Sequence, residues 1–481
     1  MPRVTCTSQG RNMKRRTKIV CTLGPAVDSR EKIQELMLTG MNIARLNCSH
    51  GDWETKKRWI EWIREMSSDV APVAILADLQ GPKFRIGILP EDGLHLALGQ
   101  TITVGPEAGA TIPITQSEIV AAFKPGSRAL LGDGNVELKI GAPYGKNFRA
   151  RVMSAGLVKS RQGITLVNRI FDTPAMTDKD REDIGQACAA GVDYIALSYV
   201  KCAEDVLELR REVDRIDPSI GLCAKIETRE AIRELDGILE AVDLVMVARG
   251  DLGLQMDMED VPIMQKRIIA KCTWAGKPVI TATQMLESMI SNPRPTRAEA
   301  TDVANAVIDG TDAVMLSGET ASGEFPVECV RTMVRIAERA ETLFDRSRIE
   351  AHFREQALSQ IDHQEAIAHS VAQLASLLKP AAVISTTVSG NTARLVSKYR
   401  PKAPLLCATY DERTQARLAA CWGAEAIRLP TPRSTEDGIR NAVAAFVKQK
   451  RLKNGDLVLI TAGVPFGEGN TNLILTQVVD L

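Results

Sequence analysis

The feature of this chain that most constrains its fold is a short apolar segment that recurs eight times between residues 17 and 319. Each segment has the length of a β-strand and ends in a polar or charged residue, and a helical pattern usually follows it. The segments end at Thr22, Asn47, Asp78, Ser198, Glu227, Asp251, Thr283 and Glu319. Eight strands alternating with helices predict a parallel, closed (β/α)8 TIM barrel. Because chemistry in this fold lies at the C-terminal ends of the strands, the polar ends predict an active site there.

One gap between segments is too long for a single βα unit. The third strand ends near Asp78 and the fourth begins near Asp193, and the intervening residues alternate in short runs broken by glycine and proline. That pattern predicts an inserted β domain, hung on two connections, that can swing over the barrel mouth as a lid. After about residue 345 the pattern becomes alternating helix and strand, which predicts a doubly wound domain. The chain is therefore α/β throughout, with an N-terminal segment 1–16, a catalytic barrel over 17–81 and 174–345, a small β-barrel lid over 82–173 and a C-terminal α/β domain over 346–481.

Composition excludes several classes of function. The 481 residues include 60 basic and 60 acidic side chains, so no net charge favours nucleic acid or an anionic membrane. No apolar run approaches the length of a membrane span, and no signal-peptide pattern opens the chain. None of the ten cysteines forms a CxxC pair, and most lie in apolar runs. These features predict a cytoplasmic protein whose function lies in local sites.

The fifth and sixth strands carry the richest chemistry. Lys225 and Glu227 lie two residues apart and therefore face the same side of a strand, and Asp251 follows the next strand. Since neighbouring strands lie about 4.8 Å apart, the two carboxylates could share one divalent cation, with positions left for water and substrate oxygens. The alternative is a structural Lys–Glu ion pair, which an isolated pair would favour. That alternative fails for the whole group, because so many polar residues at one barrel mouth without a ligand would be costly. The other members of the group are Arg45, Asn47, Ser49, Asp78 and Thr283.

Two residues at this end of the barrel, His50 and Thr283, have simpler alternatives. Arg45 suits a phosphate, whereas His50 is more often a turn or capping residue than a catalyst. Lys83 and Arg85 add two cations at the first lid connection. Thr283 could assist proton transfer, although a buried threonine is usually a satisfied core residue.

Several stretches carry a resemblance to a known family. They are RTKIVCTLGPA, MNIARLNCSHG, DLQGPKFRIG, AKIE, VARGDLG, TATQMLESM, VSKYRPKAPL and the long, highly specific run at residues 292–328. Over nearly its full length the chain resembles the pyruvate kinase family. The resemblance implies transfer of a phosphoryl group from phosphoenolpyruvate to ADP, which gives pyruvate and ATP in the last step of glycolysis.

The resemblance also implies roles for individual residues. Glu227 and Asp251 would bind Mg²⁺, with Mn²⁺ as an alternative, and a second Mg²⁺ would travel with the nucleotide. Lys225, Thr283 and Arg45 would be catalytic, with Thr283 near the carbon that is protonated. The substrate would contact Arg45, Ser198, Lys225, Ala248, Arg249, Gly250, Asp251 and Thr283. The nucleotide would contact Arg45, Asn47, His50, Arg85 and Asp133.

The site for a monovalent cation is where this chain departs from the potassium-dependent members. The corresponding positions here are Asn47, Ser49, Asp78, Leu79 and Lys83. A leucine side chain cannot coordinate K⁺, and Lys83 stands where those members have a glutamate. The Leu79 and Lys83 pair resembles the potassium-independent subgroup, so we predict activity without K⁺. The alternative is that Lys83 is a solvated hinge residue.

The lid and the C-terminal domain add further expectations. The lid reads Gln162 where family members commonly have a lysine, which leaves one nucleotide contact open. In the C-terminal domain a Ser/Thr/Gly turn follows a strand and opens a helix, and this arrangement could hold a phosphate. By resemblance this turn would bind a sugar-phosphate or AMP effector through Thr387, Ser389, Gly390, Asn391 and Thr392. The family is typically homotetrameric. Two rival functions are a Mg²⁺-dependent enolate lyase or aldolase, and a catalytically silent sugar-phosphate sensor.

Overall fold

The computed structural model describes residues 15–67, 71–132, 134–167, 169, 171, 173–347, 349, 351, 362–464, 467 and 471–480. Of the N-terminal segment 1–16, only Arg15 and Arg16 are described. Within these ranges, four short 3-10 helices connect regular elements, at Pro25–Val27, Glu287–Ile290, Glu341–Leu343 and Leu418–Ala420.

The first part of the barrel contributes three strands and two helices. They are β1 (Lys18–Thr22), α1 (Arg30–Thr39), β2 (Ile43–Asn47), α2 (Trp53–Ser67) and β3 (Ala74–Asp78). Ser29 caps α1 by accepting a hydrogen bond from the amide of Lys32, and Gly40 ends the helix. All five residues of β1 and of β3 are buried, which explains why these strands read as continuous apolar runs.

The inserted lid then forms two sheets. Its elements are β4 (Leu94–Leu96), β5 (Thr101–Gly105), β6 (Ile112–Pro113), α3 (Ser117–Ala121), β7 (Arg128–Leu131), β8 (Val136–Tyr144), β9 (Asn147–Val152), β10 (Gly156–Val158) and β11 (Ile164–Leu166). Six strands pair in the order β11-β7-β8-β9-β5-β6, and β10 pairs with β4. The lid has its own hydrophobic core, separate from the barrel core, so it can move as a unit.

The chain returns to complete the barrel. The elements are α4 (Asp178–Ala189), β12 (Tyr194–Leu197), α5 (Ala203–Asp214), β13 (Gly221–Ile226), α6 (Arg229–Arg233), α7 (Leu235–Ala241), β14 (Leu244–Ala248), α8 (Arg249–Gln255), α9 (Val261–Trp274), β15 (Val279–Ala282), α10 (Arg297–Asp309), β16 (Ala313–Leu316), α11 (Gly318–Ala321) and α12 (Pro326–Ala340). The strands close in the order β1-β16-β15-β14-β13-β12-β3-β2. The predicted eight-stranded parallel barrel is confirmed.

Two strands end three residues before the positions predicted from the sequence. The sixth strand ends at Ala248 and the eighth at Leu316, so Asp251 and Glu319 lie in the first turns of α8 and α11. Acidic side chains are favourable in a first helical turn because the helix dipole is positive there. The polar residue at the end of a βα unit can therefore belong to the strand or to the helix that follows it. The apolar pattern of the sequence does not distinguish these two positions.

The C-terminal part is a doubly wound sheet. Its elements are α13 (His363–Leu378), β17 (Ala382–Thr386), α14 (Asn391–Lys398), β18 (Leu405–Thr409), α15 (Glu412–Arg417), β19 (Ala424–Arg428), α16 (Thr435–Lys448), β20 (Leu457–Gly463) and β21 (Thr471–Val478). The strand order is β19-β18-β17-β20-β21, and a separate hydrophobic cluster lies on each face. The antiparallel strand β21 was not predicted from the sequence.

The C-terminal part packs against the N-terminal end of the barrel. Ala419 and Ala420 join the buried cluster formed by inward-facing barrel residues such as Val20 and Met246. Lys18 Nζ donates to the carbonyl of Ala424 at 2.7 Å. The face opposite the predicted active site is therefore closed by the C-terminal part.

In the part of the chain that the structure describes, no helix combines the length and the apolar character that crossing a bilayer requires.

Candidate active site

Lys225 lies at the centre of the polar strand ends. From the end of β13 its Nζ donates to Ser198 Oγ at 2.7 Å, and it lies 3.2 Å from Asp78 Oδ1 and 3.0 Å from Glu227 Oε1. Burial acts to lower the pKa of Lys225, but the charges of Asp78 and Glu227 outweigh it and raise that pKa above its usual value. The site therefore holds a permanently charged ammonium group between two carboxylates.

The carboxylates of Glu227 and Asp251 occupy different surroundings. Glu227 is fully buried, and its burial, together with the nearby charge of Asp251, raises the pKa of Glu227. The Asp251 side chain is 25% exposed. Its partial desolvation acts to raise its pKa, but the charges of Lys83 and Lys225 outweigh this effect and hold the pKa of Asp251 below its ordinary value. The charges of Glu227 and Asp251 repel each other, so a cation or a proton between them would be favourable.

Tyr199 connects these two carboxylates, and the sequence analysis missed it. Its amide donates to Glu227 Oε2 at 2.7 Å, and its phenol donates to Asp251 Oδ1 at 3.0 Å. The backbone of Tyr199 is left-handed, with a φ of 57°, which is uncommon for an aromatic residue. The available signal was its position, because it directly follows the polar residue that ends the fourth strand.

The end of β2 adds a cation and a short turn. Arg45 Nε donates to Asp78 Oδ2 at 2.6 Å, and its Nη1 donates to Thr22 Oγ1 at 3.0 Å. Asn47 Oδ1 accepts from the amide of Ser49 at 3.0 Å, so the turn is fixed by its own side chain. Burial and the neighbouring cations lower the pKa of His50, which favours its neutral form.

The lid connection brings a second lysine into the mouth. Lys83 Nζ lies 2.9 Å from Asp251 Oδ1, so the first connection of the lid is tied to the sixth barrel unit. The carbonyl of Leu79 accepts a hydrogen bond from Ser198 Oγ at 2.7 Å. Arg85 Nη1 donates to the carbonyl of Arg161 at 3.0 Å, within the lid.

The seventh strand ends in a strained turn at Thr283. Both Thr283 and Gln284 have positive φ angles, of 67° and 53°. Thr283 Oγ1 accepts from the amide of Gly250 at 2.8 Å and donates to the carbonyl of Ala282 at 2.7 Å. Such strain persists only where the surrounding structure holds it, and it is concentrated at functional sites.

Arg249 links this turn to α10. Its Nη1 donates to Asp302 Oδ1 at 2.7 Å and its Nη2 to the carbonyl of Thr283 at 2.6 Å. The guanidinium therefore braces the Thr283 turn from behind. Ala248 is the N-cap of α8, so residues 248–250 present mainly backbone groups towards the barrel mouth.

Many of these groups line one cavity of about 350 Å³ between the barrel and the lid, whereas Glu227, Ala248, Arg249, Gly250 and Thr283 are not on its wall. Barrel residues supply most of its wall, and the lid contributes Gly132 and residues 160–163, including Gln162. The structure thus brings together, on one cavity, predicted residues from the ends of four strands and from the lid hinge: Arg45, Asn47, Ser49, His50, Asp78, Leu79, Lys83, Arg85, Ser198, Lys225 and Asp251. Asp133 lies outside the described residues.

The turn predicted to bind an effector lies elsewhere, after β17. Thr387 Oγ1 accepts from the amide of Gly390 at 2.9 Å, and Gly390 is the left-handed N-cap of α14. Thr392 Oγ1 lies 2.6 Å from Thr471 Oγ1, and Asn391 Nδ2 donates to Gln364 Oε1 at 2.8 Å. Ser389 lies in the same turn.

The two central carboxylates are suited to a divalent cation with few protein ligands. Glu227 Oε1 is buried without a hydrogen bond, although Lys225 is at ion-pair distance from it. Among the described residues no hydrogen bond reaches Asp251 Oδ2. No group of three or more acidic, histidine or cysteine side chains suited to a metal occurs in the described ranges. A cation held by one or two carboxylates that keeps several waters has the character of Mg²⁺.

The fold and the cavity together define a (β/α)8-barrel enzyme with an inserted domain and a polar cavity at the C-terminal ends of the barrel strands. Comparison with known proteins gives the family. A family model described as "Pyruvate kinase, barrel domain" matches residues 14–330, and one described as "Pyruvate kinase, alpha/beta domain" matches residues 365–476. The chain is 44% identical to pyruvate kinase from Geobacillus stearothermophilus, over 97% of this chain and 81% of the relative.

Further relatives agree. Pyruvate kinase from Bacillus licheniformis is 42% identical over 97% of this chain and 80% of its own length. Pyruvate kinase from Staphylococcus aureus (strain MRSA252) is 41% identical over the same shares. The chain belongs to the pyruvate kinase family and is a phosphotransferase of that family.

Proposed function

We propose that this enzyme transfers the phosphoryl group of phosphoenolpyruvate to ADP, giving pyruvate and ATP. The observation that carries the proposal is the position of Lys225, whose ammonium lies buried between Asp78 and Glu227 at the edge of the cavity. Phosphoryl transfer needs positioning and positive charge more than covalent chemistry. A fixed cation beside two carboxylates that could hold a metal meets both needs.

The residues of the mouth would divide this work. Lys225 would neutralise charge on the transferring phosphoryl group and on the enolate oxygen that it leaves behind. Arg45 would orient the same phosphoryl group, since its guanidinium is already held by Asp78 and Thr22. Glu227 and Asp251 would hold Mg²⁺, or Mn²⁺ in its place. When bound, this cation would add positive charge at the substrate oxygens.

The other end of the substrate would lie against α8 and the Thr283 turn. Residues 248–251 would seat the carboxylate through backbone amides, and Ser198 would hold the Lys225 ammonium in place. The Thr283 hydroxyl would lie near the enolate carbon that receives a proton. Its left-handed backbone and the brace from Arg249 support a fixed orientation for that hydroxyl.

The nucleotide would enter from the lid side. Arg85 and His50 line the cavity beside Asn47, and the lid residues 160–163 face them. A neutral His50 offers a hydrogen bond without adding charge. Asp133 remains a proposed contact by family resemblance alone.

We further propose that the enzyme works without K⁺. Lys83 places an ammonium 2.9 Å from Asp251 at the mouth, where it supplies a fixed positive charge. Leu79 could coordinate K⁺ only through its backbone carbonyl, and that carbonyl already accepts a hydrogen bond from Ser198. Asn47 and Ser49 are joined to each other in a turn.

The remaining proposals concern organisation and regulation. We propose the domain boundaries 1–16, 17–81 with 174–345, 82–173 and 346–481, a homotetramer, and allosteric activation by a sugar phosphate or AMP at residues 387–392. Hydroxyls and amides at the start of α14 support the effector site. Nine described cysteines are free thiols, which supports a cytoplasmic location.

A coupled assay tests the central proposal. Pyruvate formation from phosphoenolpyruvate is measured through lactate dehydrogenase, with and without ADP, Mg²⁺ and a panel of sugar phosphates and AMP. We expect pyruvate to form only when ADP and a divalent cation are both present, and Asp251→Asn to abolish most of the rate. Asp236→Asn, on the outer helix α7, is the matched control. Pyruvate formation without ADP would instead indicate a lyase, and no pyruvate at all would overturn the proposal.

A further inference from the structure

Tyr199 makes one hydrogen bond to each of the two central carboxylates and leaves the second oxygen of each carboxylate without a bond to it. Its amide donates to Glu227 Oε2 at 2.7 Å, and its phenol donates to Asp251 Oδ1 at 3.0 Å. The other oxygens are Glu227 Oε1 and Asp251 Oδ2. Glu227 Oε1 is buried without a hydrogen bond and lies 3.0 Å from the Lys225 ammonium, and Asp251 Oδ2 receives no hydrogen bond from any described residue. One residue therefore engages one oxygen of each carboxylate and leaves the other.

The surroundings of Tyr199 hold it firmly in this place. Its ring packs on the lid hinge at Gly81, where a Cβ would lie 3.1 Å from Tyr199 Cδ2 and 2.8 Å from Ser198 Cβ. Its backbone is left-handed, a conformation that is unfavourable in a non-glycine residue. The extended conformation that such residues prefer would point the amide and the side chain in other directions. The strain is thus the condition under which both hydrogen bonds form together.

The chemistry of the phenol suits this task. A phenol is neutral, so it orients Asp251 without cancelling the negative charge that attracts a cation. A phenol hydroxyl carries one hydrogen that it can donate, so it can meet a carboxylate oxygen directly. Lys83 shares the same Asp251 oxygen at 2.9 Å, but it is a flexible side chain on the lid connection.

We propose that Tyr199 is a positioning residue that selects the metal-binding oxygens, Glu227 Oε1 and Asp251 Oδ2, by occupying the other oxygen of each carboxylate. The inference rests on the proposed function, which makes these two residues the metal ligands. Hydrogen-bonding partners behind metal ligands typically contribute about 10–100-fold to metal affinity. Loss of the phenol hydroxyl would free Asp251 to turn, while the amide bond to Glu227 would remain.

The test compares two tyrosines on the same strand unit in the full-length protein. Tyr199→Phe removes the hydroxyl and keeps the ring. Tyr194→Phe, at the other end of β12, removes a hydroxyl that donates to the carbonyl of Arg417 at 3.2 Å, far from the mouth. Binding of Mn²⁺ is measured without substrate by electron paramagnetic resonance of the free ion, and folding is checked by circular dichroism.

We expect Tyr199→Phe to raise the dissociation constant for Mn²⁺ about tenfold, and Tyr194→Phe to leave it unchanged. In turnover, the loss should be greatest at low Mn²⁺ and should shrink as Mn²⁺ is raised, which a general structural defect would not produce. Equal dissociation constants for Tyr199→Phe and the wild type, or equal weakening in both variants, would overturn the role of Tyr199. Wild-type protein that binds no Mn²⁺ would overturn the proposed metal site itself.

A measurement on the wild-type protein covers the case in which Tyr199→Phe does not fold. Because the phenol is bonded to a ligand carboxylate, Mn²⁺ binding should change the tyrosine ultraviolet absorbance with the same midpoint as the resonance titration. The change should persist in Tyr194→Phe. A wild-type spectrum that stays constant while Mn²⁺ binds would refute the contact between Tyr199 and the metal ligand.

Discussion

Replacement of Lys83 by glutamate should convert an enzyme that works without K⁺ into one that requires it. The ion-paired cations Arg45, Lys83 and Lys225 balance the acids Asp78, Glu227 and Asp251, so the formal charge of this central cluster, taken alone, is zero. Lys83→Glu changes that balance to −2. A substrate that carries a phosphate and a carboxylate would then meet a repulsive site, and a bound monovalent cation would relieve the repulsion.

The structure sets the size of this effect. At a separation of 2.9 Å, the attraction between Lys83 and Asp251 is about 6 kcal/mol before solvation costs, at an effective dielectric constant of about 20. The two side chains are 23% and 25% exposed, so solvent screens part of it. Loss of one preorganised charge in an active site typically costs about 3 kcal/mol. We therefore expect the turnover of Lys83→Glu without K⁺ to fall roughly 100-fold.

The assay is pyruvate formation in tetramethylammonium chloride, with KCl exchanged for it at constant ionic strength. Wild-type turnover should change less than about twofold on addition of KCl, whereas Lys83→Glu should recover most of its lost rate. Lys57→Glu is the matched control, because Lys57 contacts Gln186 on the outer helices and the substitution makes the same change in charge. Strong stimulation of the wild type by KCl, or a Lys83→Glu enzyme that is fully active without it, would refute the reasoning.

Three further predictions concern other parts of the molecule. Lys225→Met should lower turnover by at least about 100-fold, measured in the coupled assay at saturating substrate, because it removes the cation at the centre of the site; a loss below about tenfold would contradict this. Gly81→Ala should reduce the free energy of unfolding in urea by at least about 1 kcal/mol, since the position is left-handed with φ 70° and the new Cβ would lie 2.8 Å from Ser198 Cβ; Gly109→Ala, left-handed but in open space, is its control. Burial lowers the pKa of Lys18 from 10.5 to about 8, so the folded protein carries a penalty for this charge below about pH 8 that is lost as the pH rises towards 10.5. Lys18→Met removes this penalty, so the variant should be more stable than the wild type at about pH 7. Its advantage in the free energy of unfolding should shrink by about 2 kcal/mol between about pH 7 and pH 9.5. A difference in unfolding free energy that does not change with pH would show that Lys18 titrates normally.

Much of the fold could be predicted from the sequence because its signals are local. Strands buried on both faces read as continuous apolar runs, as β3 does, and a helix cap such as Ser29 is chemistry between residues three apart. The gap between Asp78 and Asp193 likewise revealed the insertion. The antiparallel strand β21 was missed because it has the mixed burial of an edge strand, which gives little apolar pattern.

The site was predictable in its membership but not in its connections. A residue at the C-terminal end of a barrel strand must face the mouth, so Lys225 and Asp78 could be placed together in advance. Sequence spacing gave no information on which donor meets which oxygen, because those contacts join residues far apart in the chain. Tyr199 was missed for that reason, since an aromatic residue after a strand is usually core. The outward turn of Arg249 to Asp302 depends on α10 and was equally hidden.

The contact of Ala419 and Ala420 with the interior of the barrel has a consequence for any attempt to divide this protein. A fragment that ends near residue 345 would keep every proposed catalytic residue. It would lack Ala419 and Ala420, which cover the N-terminal end of the barrel interior and shield it from water. Freshly wetted alanine, valine and methionine side chains would then compete for other apolar surfaces, and the fragment would be prone to self-association. The C-terminal part, for which we propose a regulatory role, thus also contributes to the structure of the barrel.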